Sequence, residues 1–305
     1  SVLHQFYNAT GPAGNCYGRL IQGKDGALYG TGYATAFKMT LNGELTVLHD
    51  FNLNAADGSN LVAGVVQAAD ATLYGTAAQG GAFGHGTVFK ISPLGSFTVL
   101  YSFTGTTDGN VPYGGLCLAS DGNLYGTTAG GGLYGYGTIF RITTSGVETV
   151  LHSFDYNHDG AQPECDLVEG SDHRLYGTTL NGGLNFGGTA FVISLDGGFS
   201  LLHAFDDPAS ARYAGSIPLS GVIQASDGFL YGTTRLGGSH LGGTLYKMST
   251  TGSLTVLYDF PKRAGAQPYE NPSDLFEGSD DNLYGTTEYG GTYQRGSVYR
   301  IPLAP

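Results

Sequence analysis

The sequence predicts an all-β chain, a six-bladed β-propeller with four antiparallel strands per blade. Three observations predict it. The tripeptide Leu-Tyr-Gly recurs at Leu28, Leu73, Leu124, Leu175, Leu230 and Leu283, at intervals of 45 to 55 residues. Each copy holds four short apolar segments parted by turn residues, and four strands at this period is the blade repeat of a propeller. No window of the 305 residues carries a sustained 3.6-residue apolar period, so almost no helix is expected.

The third copy shows the whole unit. Segment A is GGLCLAS, B is NLYGTT, C is TIFRIT and D is VETVLHSF. Asp-Gly and Ser-Gly pairs supply the A–B and C–D turns, as tight hairpins require. A loop of the form GG-x-x-G-x-G joins B to C, and blade 1 lacks it. The last copy stops after segment C, while residues 1–6, SVLHQF, match the D segments TVLHDF, TVLYSF and TVLHSF. Residues 1–6 are therefore expected to complete the last blade, making residues 1–305 one closed domain without an open sheet edge.

Composition excludes several function classes. The formal net charge is −12, which does not suit a nucleic-acid partner held by a basic face. No apolar run is long enough to span a membrane as a helix. Cys16, Cys117 and Cys165 lie in different repeats and match no metal spacing, so they read as free thiols and no metal site is expected. The Asp-Gly pairs at Asp57, Asp108 and Asp159 suit turns better than calcium ligands. No cofactor is expected; structural calcium is the one alternative weighed. The third Gly-rich loop, GGGLYGYG, links two strands with no helix behind it, so it lacks the helix N-terminus a phosphate site needs.

The pattern DG-x-LYGTT-x-x-GG-x-x-G-x-GT-V-F-K-I, closed by TVL-x-x-F, resembles the bacterial tandem repeats called GloVer repeats, over essentially the whole chain. The resemblance implies a propeller and a secreted or cell-surface setting. It implies no activity.

In a propeller the D–A and B–C connections share one face, here called the top, and all the long, variable segments fall on it. The symmetry breaks there. The residue before the first aliphatic of segment A is Arg19, Gly64, Gly115, Asp166, Gly221 and Asp274 in blade order. Arg19, Asp166 and Asp274 should therefore border the channel mouth. Of the 13 Lys and Arg residues, Lys38, Lys90, Arg141, Lys247 and Arg300 share one position in segment C, and Lys24 and Arg174 lie in the opposite turns. The remaining six, Arg19, Arg212, Arg235, Lys262, Arg263 and Arg295, belong to the tops of blades 5, 6 and 1. Tyr17, Tyr213, Tyr269, Tyr289 and Tyr293 are interleaved with them, while Glu164, His158 and Asp166 lie across the channel. Such a field in an acidic chain suits an anionic ligand, and flat rings suit sugar faces.

Three functions compete. A polysaccharide lyase acting on a uronic acid needs a cation to neutralise the carboxylate and a base to take the C5 proton. Arg19, Arg212, Arg235 and Arg263 are candidate neutralisers; Tyr17, Tyr213, Tyr269 and His240 are candidate bases. Lys262, Arg295, Tyr289, Tyr293, Glu164 and His158 are candidate substrate contacts. A lectin-like propeller without chemistry would explain the repeated tyrosines but should keep equal sites in several blades. A glycoside hydrolase would use two carboxylates among Asp166, Asp274, Glu164 and Glu270. The lyase is the reading carried forward, for a secreted monomer whose partner is an anionic carbohydrate.

Overall fold

The computed structural model describes residues 3, 18–51, 54–205, 215–261, 272, 274–293 and 295–303. They fall into two compact units, Ser1–Ser153 and Phe154–Pro305, each holding three antiparallel sheets.

In the first unit, sheet 1 comprises β1 (Ile21–Gln22), β2 (Leu28–Gly32), β3 (Thr35–Met39) and β4 (Leu45–Asp50). Sheet 2 comprises β5 (Val66–Gln67), β6 (Leu73–Ala77), β7 (Thr87–Ile91) and β8 (Phe97–Ser102). Sheet 3 comprises β9 (Cys117–Leu118), β10 (Leu124–Thr128), β11 (Thr138–Ile142) and β12 (Glu148–Ser153). In the second unit, sheet 4 comprises β13 (Val168–Glu169), β14 (Arg174–Thr179), β15 (Thr189–Ser194) and β16 (Phe199–Ala204). Sheet 5 comprises β17 (Ile223–Gln224), β18 (Leu230–Thr234), β19 (Leu241–Met248) and β20 (Leu254–Pro261). Sheet 6 has three described strands, β21 (Phe276–Glu277), β22 (Asn282–Thr287) and β23 (Ser297–Pro302). One helical turn, Ala55–Asp57, is the only helix among the described residues.

The four-segment reading is therefore the observed sheet in the first five repeats. Its first strand is shorter than the sequence implied, only two residues in each sheet. The residues ahead of it turn from their own ladder toward the neighbouring sheet. Thr31 donates from Oγ1 to the Ala63 carbonyl at 2.6 Å, and Thr76 to that of Gly114 at 3.0 Å. Thr178 reaches Ser220 and Thr233 reaches Pro272 in the same way. Each of these side-chain bonds ties one sheet to the next.

The middle of each blade is a ring over a glycine. A Cβ on Gly126 of β10 would stand 2.6 Å from Phe140 Cζ of β11, so only glycine fits beneath that ring. A register shift recurs in the pairing of the third and fourth strands, for example between Ile139 and Phe140, which adds local twist to the outer strand.

The Leu-Tyr-Gly tyrosines are buried in sheets 1 to 5, as inter-sheet packing requires. Five of the six Leu-Tyr-Gly tyrosines also have a polar task that the sequence did not disclose. The Tyr125 hydroxyl donates to Asp121 at 2.8 Å, and Tyr29, Tyr176, Tyr231 and Tyr284 donate to Asp25, Asp172, Asp227 and Asp280. The acceptor is the Asp of the A–B turn. The third-strand cation completes the set: Lys38 pairs with Asp25 at 2.6 Å and Lys247 with Asp227 at 2.8 Å. Lys38 and Tyr29 together hold the Asp25 carboxyl down at about 2. Sheet 4 carries Val192 where the other sheets carry Lys or Arg. There Arg174, from β14, supplies the guanidinium and bonds both Asp172 and Tyr176.

Candidate functional site

The charged positions ahead of the first strands are exposed: Arg19 in the first unit, Asp166 and Asp274 in the second. Their glycine counterparts have a structural cause. A Cβ on Gly64 would lie 2.5 Å from the Arg19 carbonyl oxygen, and one on Gly221 would lie 2.8 Å from that of Asp166. Backbones of successive sheets approach so closely that the neighbour of a charged position must be glycine. The alternation of charge and glycine thus partly records packing.

Within the second unit, Asp166 and Asp274 act on a common group. The Cys165 thiol donates to the Thr178 carbonyl and sits 2.9 Å from Thr178 Oγ1. Burial pushes its pKa up to about 11, and the negative charges of Asp166 and Asp274 push the same way. Asp274 also adds to the effect of burial in raising the Tyr299 phenol. Tyr246 and Tyr299 occupy the ring-over-glycine position of β19 and β23, where sheets 1 to 4 carry Phe37, Phe89, Phe140 and Phe191. Both hydroxyls are buried without a hydrogen-bond partner among the described residues. The inner end of this unit therefore gathers Cys165, Asp166, Asp274, Tyr246 and Tyr299. Sequence reasoning missed the two tyrosines because they looked like core aromatics. The signal was the change from Phe to Tyr at one repeat position.

The loops of sheets 5 and 6 bring together a second pair. Arg235 is half-buried, and its Nε is buried with no acceptor among the described residues. It acts on Tyr289: the hydrogen bond to Glu288 and desolvation raise that phenol, and the Arg235 charge lowers it. His240 is exposed at a loop tip, with Nδ1 3.1 Å from Ser239 Oγ, which itself donates to Asp259 at 2.7 Å. Tyr293 and Arg295 are exposed. In sheet 4, burial raises the Glu164 pKa, and His158 Nδ1 meets Asp155 at 2.8 Å. Tyr17, Arg212, Tyr213, Lys262, Arg263, Tyr269 and Glu270 lie outside the described residues.

Asp57, Asp108 and Asp159 belong to the D–A loops. Asp57 meets His49 at 2.9 Å, and Asp108 accepts from Tyr101 and from the backbone and side chain of Thr104. The Asp159 carboxylate accepts from the Asp155 amide at 2.6 Å, so all three have a structural task. No cluster of three or more metal-ligating side chains occurs among the described residues. No helix among them is long and apolar enough to cross a membrane.

Solved structures share this fold at low identity. A gluconolactonase from Xanthomonas campestris matches with a TM-score of 0.55 and 13% identity, over 96% of this chain and 88% of that one. A putative 6-phosphogluconolactonase from Bacteroides uniformis matches with a TM-score of 0.55 and 16% identity, over 92% and 82%. The extracellular domain of a putative hybrid two-component system from B. thetaiotaomicron matches with a TM-score of 0.56 and 12% identity, over 94% of this chain but only 34% of that one. No curated protein matches the chain. The description of the Gloeobacter/Verrucomicrobia repeat matches residues 31–217 and 209–304, and the chain belongs to that family.

Proposed function

We propose that this protein is a secreted, monomeric six-bladed propeller that acts on an acidic polysaccharide by β-elimination. The observation that carries the reading is Arg235. A guanidinium whose Nε is withdrawn from water without an acceptor among the described residues, beside the phenol of Tyr289, is poised for a carboxylate and a sugar ring. Two of the fold's neighbours bear names that refer to gluconolactone chemistry, which supports a sugar ligand. An extracellular domain among them supports a secreted setting.

In this reading Arg235 neutralises the uronate carboxylate, which acidifies the C5 proton. A base takes that proton, the C4–O bond breaks with its electron pair going to the glycosidic oxygen, which takes up a proton from water and leaves as a hydroxyl, and a C4–C5 double bond remains. Tyr289 is held in its protonated form by Glu288, so it serves as a hydrogen-bond donor and not as the base. Of the base candidates, Tyr17, Tyr213 and Tyr269 lie outside the described residues; His240 would act through Nε2, because Nδ1 is engaged by Ser239. Asp166 and Asp274, of the same unit as Arg235, would line the site's inner end. Arg235→Ala should cut turnover of a uronic-acid polysaccharide by about 100-fold, read as ultraviolet absorbance of the unsaturated product. Lys90→Ala should leave it unchanged. Wild-type protein inactive on every uronic-acid polymer tried would overturn the lyase reading. The raised pKa of Glu164 favours a glycoside hydrolase as the second reading, and reducing ends released without that absorbance would identify it.

The same reading closes the ring, with residues 1–6 as the outer strand of sheet 6. The Leu3 carbonyl lies against Gly43, as those of Leu100 and Leu202 lie against Gly146 and Gly252. Removing residues 1–6 should lower the unfolding temperature by several degrees; an unchanged transition would reject this assignment.

A further inference from the structure

The B–C loops of sheets 2 and 3 display apolar rings in water. Phe83 is 59% exposed, Leu133 69%, Tyr134 53% and Tyr136 42%. Their backbones are pinned. Gly86 donates to the Gly80 carbonyl at 3.0 Å and Gly137 to that of Gly131 at 3.1 Å, closing each loop on itself. Ser102 Oγ accepts from the Ala82 amide and Ser153 Oγ from the Leu133 amide, holding each loop to its own outer strand. Both loops are also tied to the segment that joins sheets 2 and 3. The Val111 amide donates to the His85 carbonyl at 3.0 Å and the Asn110 amide to the Gly130 carbonyl at 2.8 Å, and the His85 ring lies over Gly105. The glycine beside each ring, Gly84 and Gly135, has nothing within 4 Å of an added Cβ, so the space next to Phe83 and Tyr134 is open.

Apolar side chains left exposed on a rigid frame forgo the gain of burial and mark a contact surface. Its chemistry is specific. No Lys or Arg occurs between residues 79 and 89 or between 129 and 140, and the acid of the intervening loop, Asp108, is buried and saturated by Thr104, Thr106 and Tyr101. The surface thus offers flat apolar faces, phenol hydroxyls and backbone amides, without charge. That combination suits the C–H face and hydroxyls of an uncharged sugar. The second unit repeats the device with Leu184 and Phe186 on sheet 4 and Tyr293 on sheet 6.

We infer that the loop tips of sheets 2 and 3 form a binding platform for a neutral oligosaccharide, distinct from the acidic-sugar site carried by Arg235. The test is calorimetric titration with neutral gluco-, manno- and xylo-oligosaccharides at low and at high salt. Wild-type protein should bind at least one of them with the same affinity at both salts, because stacking involves no exposed charge pair. Phe83→Ala with Tyr134→Ala should weaken that binding by about tenfold or more. Both side chains are exposed, so the thermal transition of the double variant should match wild type, which separates lost binding from lost folding. Arg235→Ala should leave neutral-sugar binding intact, so failure here and failure of the lyase reading are distinguishable. Absence of binding to every neutral oligosaccharide, binding untouched by the double variant, or binding abolished by salt would each overturn the proposal.

Discussion

Tyr125→Ala should destabilise the protein by about 3–5 kcal/mol, the range for removing a fully buried aromatic side chain. Tyr125→Phe separates the two tasks of the residue. It keeps the ring that fills the space between sheets and deletes the hydroxyl that donates to Asp121. Its expected cost is about 1.5–3 kcal/mol, that of one hydrogen bond to a charged group. Chemical denaturation of the three proteins checks both figures. A Phe variant as unstable as the Ala variant would mean that the hydroxyl, not the ring, holds the blades together.

Glu148→Gln should stabilise the protein above neutral pH and do little in acid. Glu148 opens β12 at the position held by Leu45, Phe97, Phe199 and Leu254 in other sheets. Between sheets 1 and 2 that position is an aromatic contact, Phe97 stacked on His49 at 3.7 Å. Glu148 instead faces Tyr101 and Asp108, and its Oε1 is buried without a hydrogen-bond partner among the described residues. Burial first, then the Asp108 charge, raises its pKa to about 7. Asp108 stays ionised: burial pushes it up, but bonds from Thr104 and Tyr101 outweigh this and hold it below its ordinary value. The folded state therefore binds more protons than the unfolded chain between the ordinary glutamate value and about pH 7. Stability must fall as pH rises through that window and level off above it. Glutamine removes this slope, and the expected gain at pH about 8 is on the order of 1 kcal/mol. Parallel slopes for wild type and variant between acid and neutral pH would refute this.

The repeat, its four strands and its turns were legible because alternation, Asp-Gly pairs and Leu-Tyr-Gly are local signals. The tyrosine-aspartate bonds were not, because they join residues four apart across a turn and appear only once the hairpin is formed. Tyr246 and Tyr299 were hidden because an aromatic at a core position reads as core whether or not it carries a hydroxyl. The asymmetry at Arg19, Asp166 and Asp274 was visible, but half its meaning was steric: Gly64 and Gly221 are glycine because Arg19 and Asp166 backbones press on them. Glu148 stood in plain view in the third repeat, and its burial depends on the sheet before it.

Sheet 4 carries a lesson about how such a chain diverges. Its cation has moved from β15 to β14, yet Asp172 and Tyr176 still receive it. What descends from copy to copy is a charge delivered to a point in space, and the address on the chain can drift. A substitution that would harm one repeat is silent in another that has already relocated the charge. Tolerance to mutation should therefore differ between nominally identical sites, and a consensus built column by column would give sheet 4 two cations for one carboxylate.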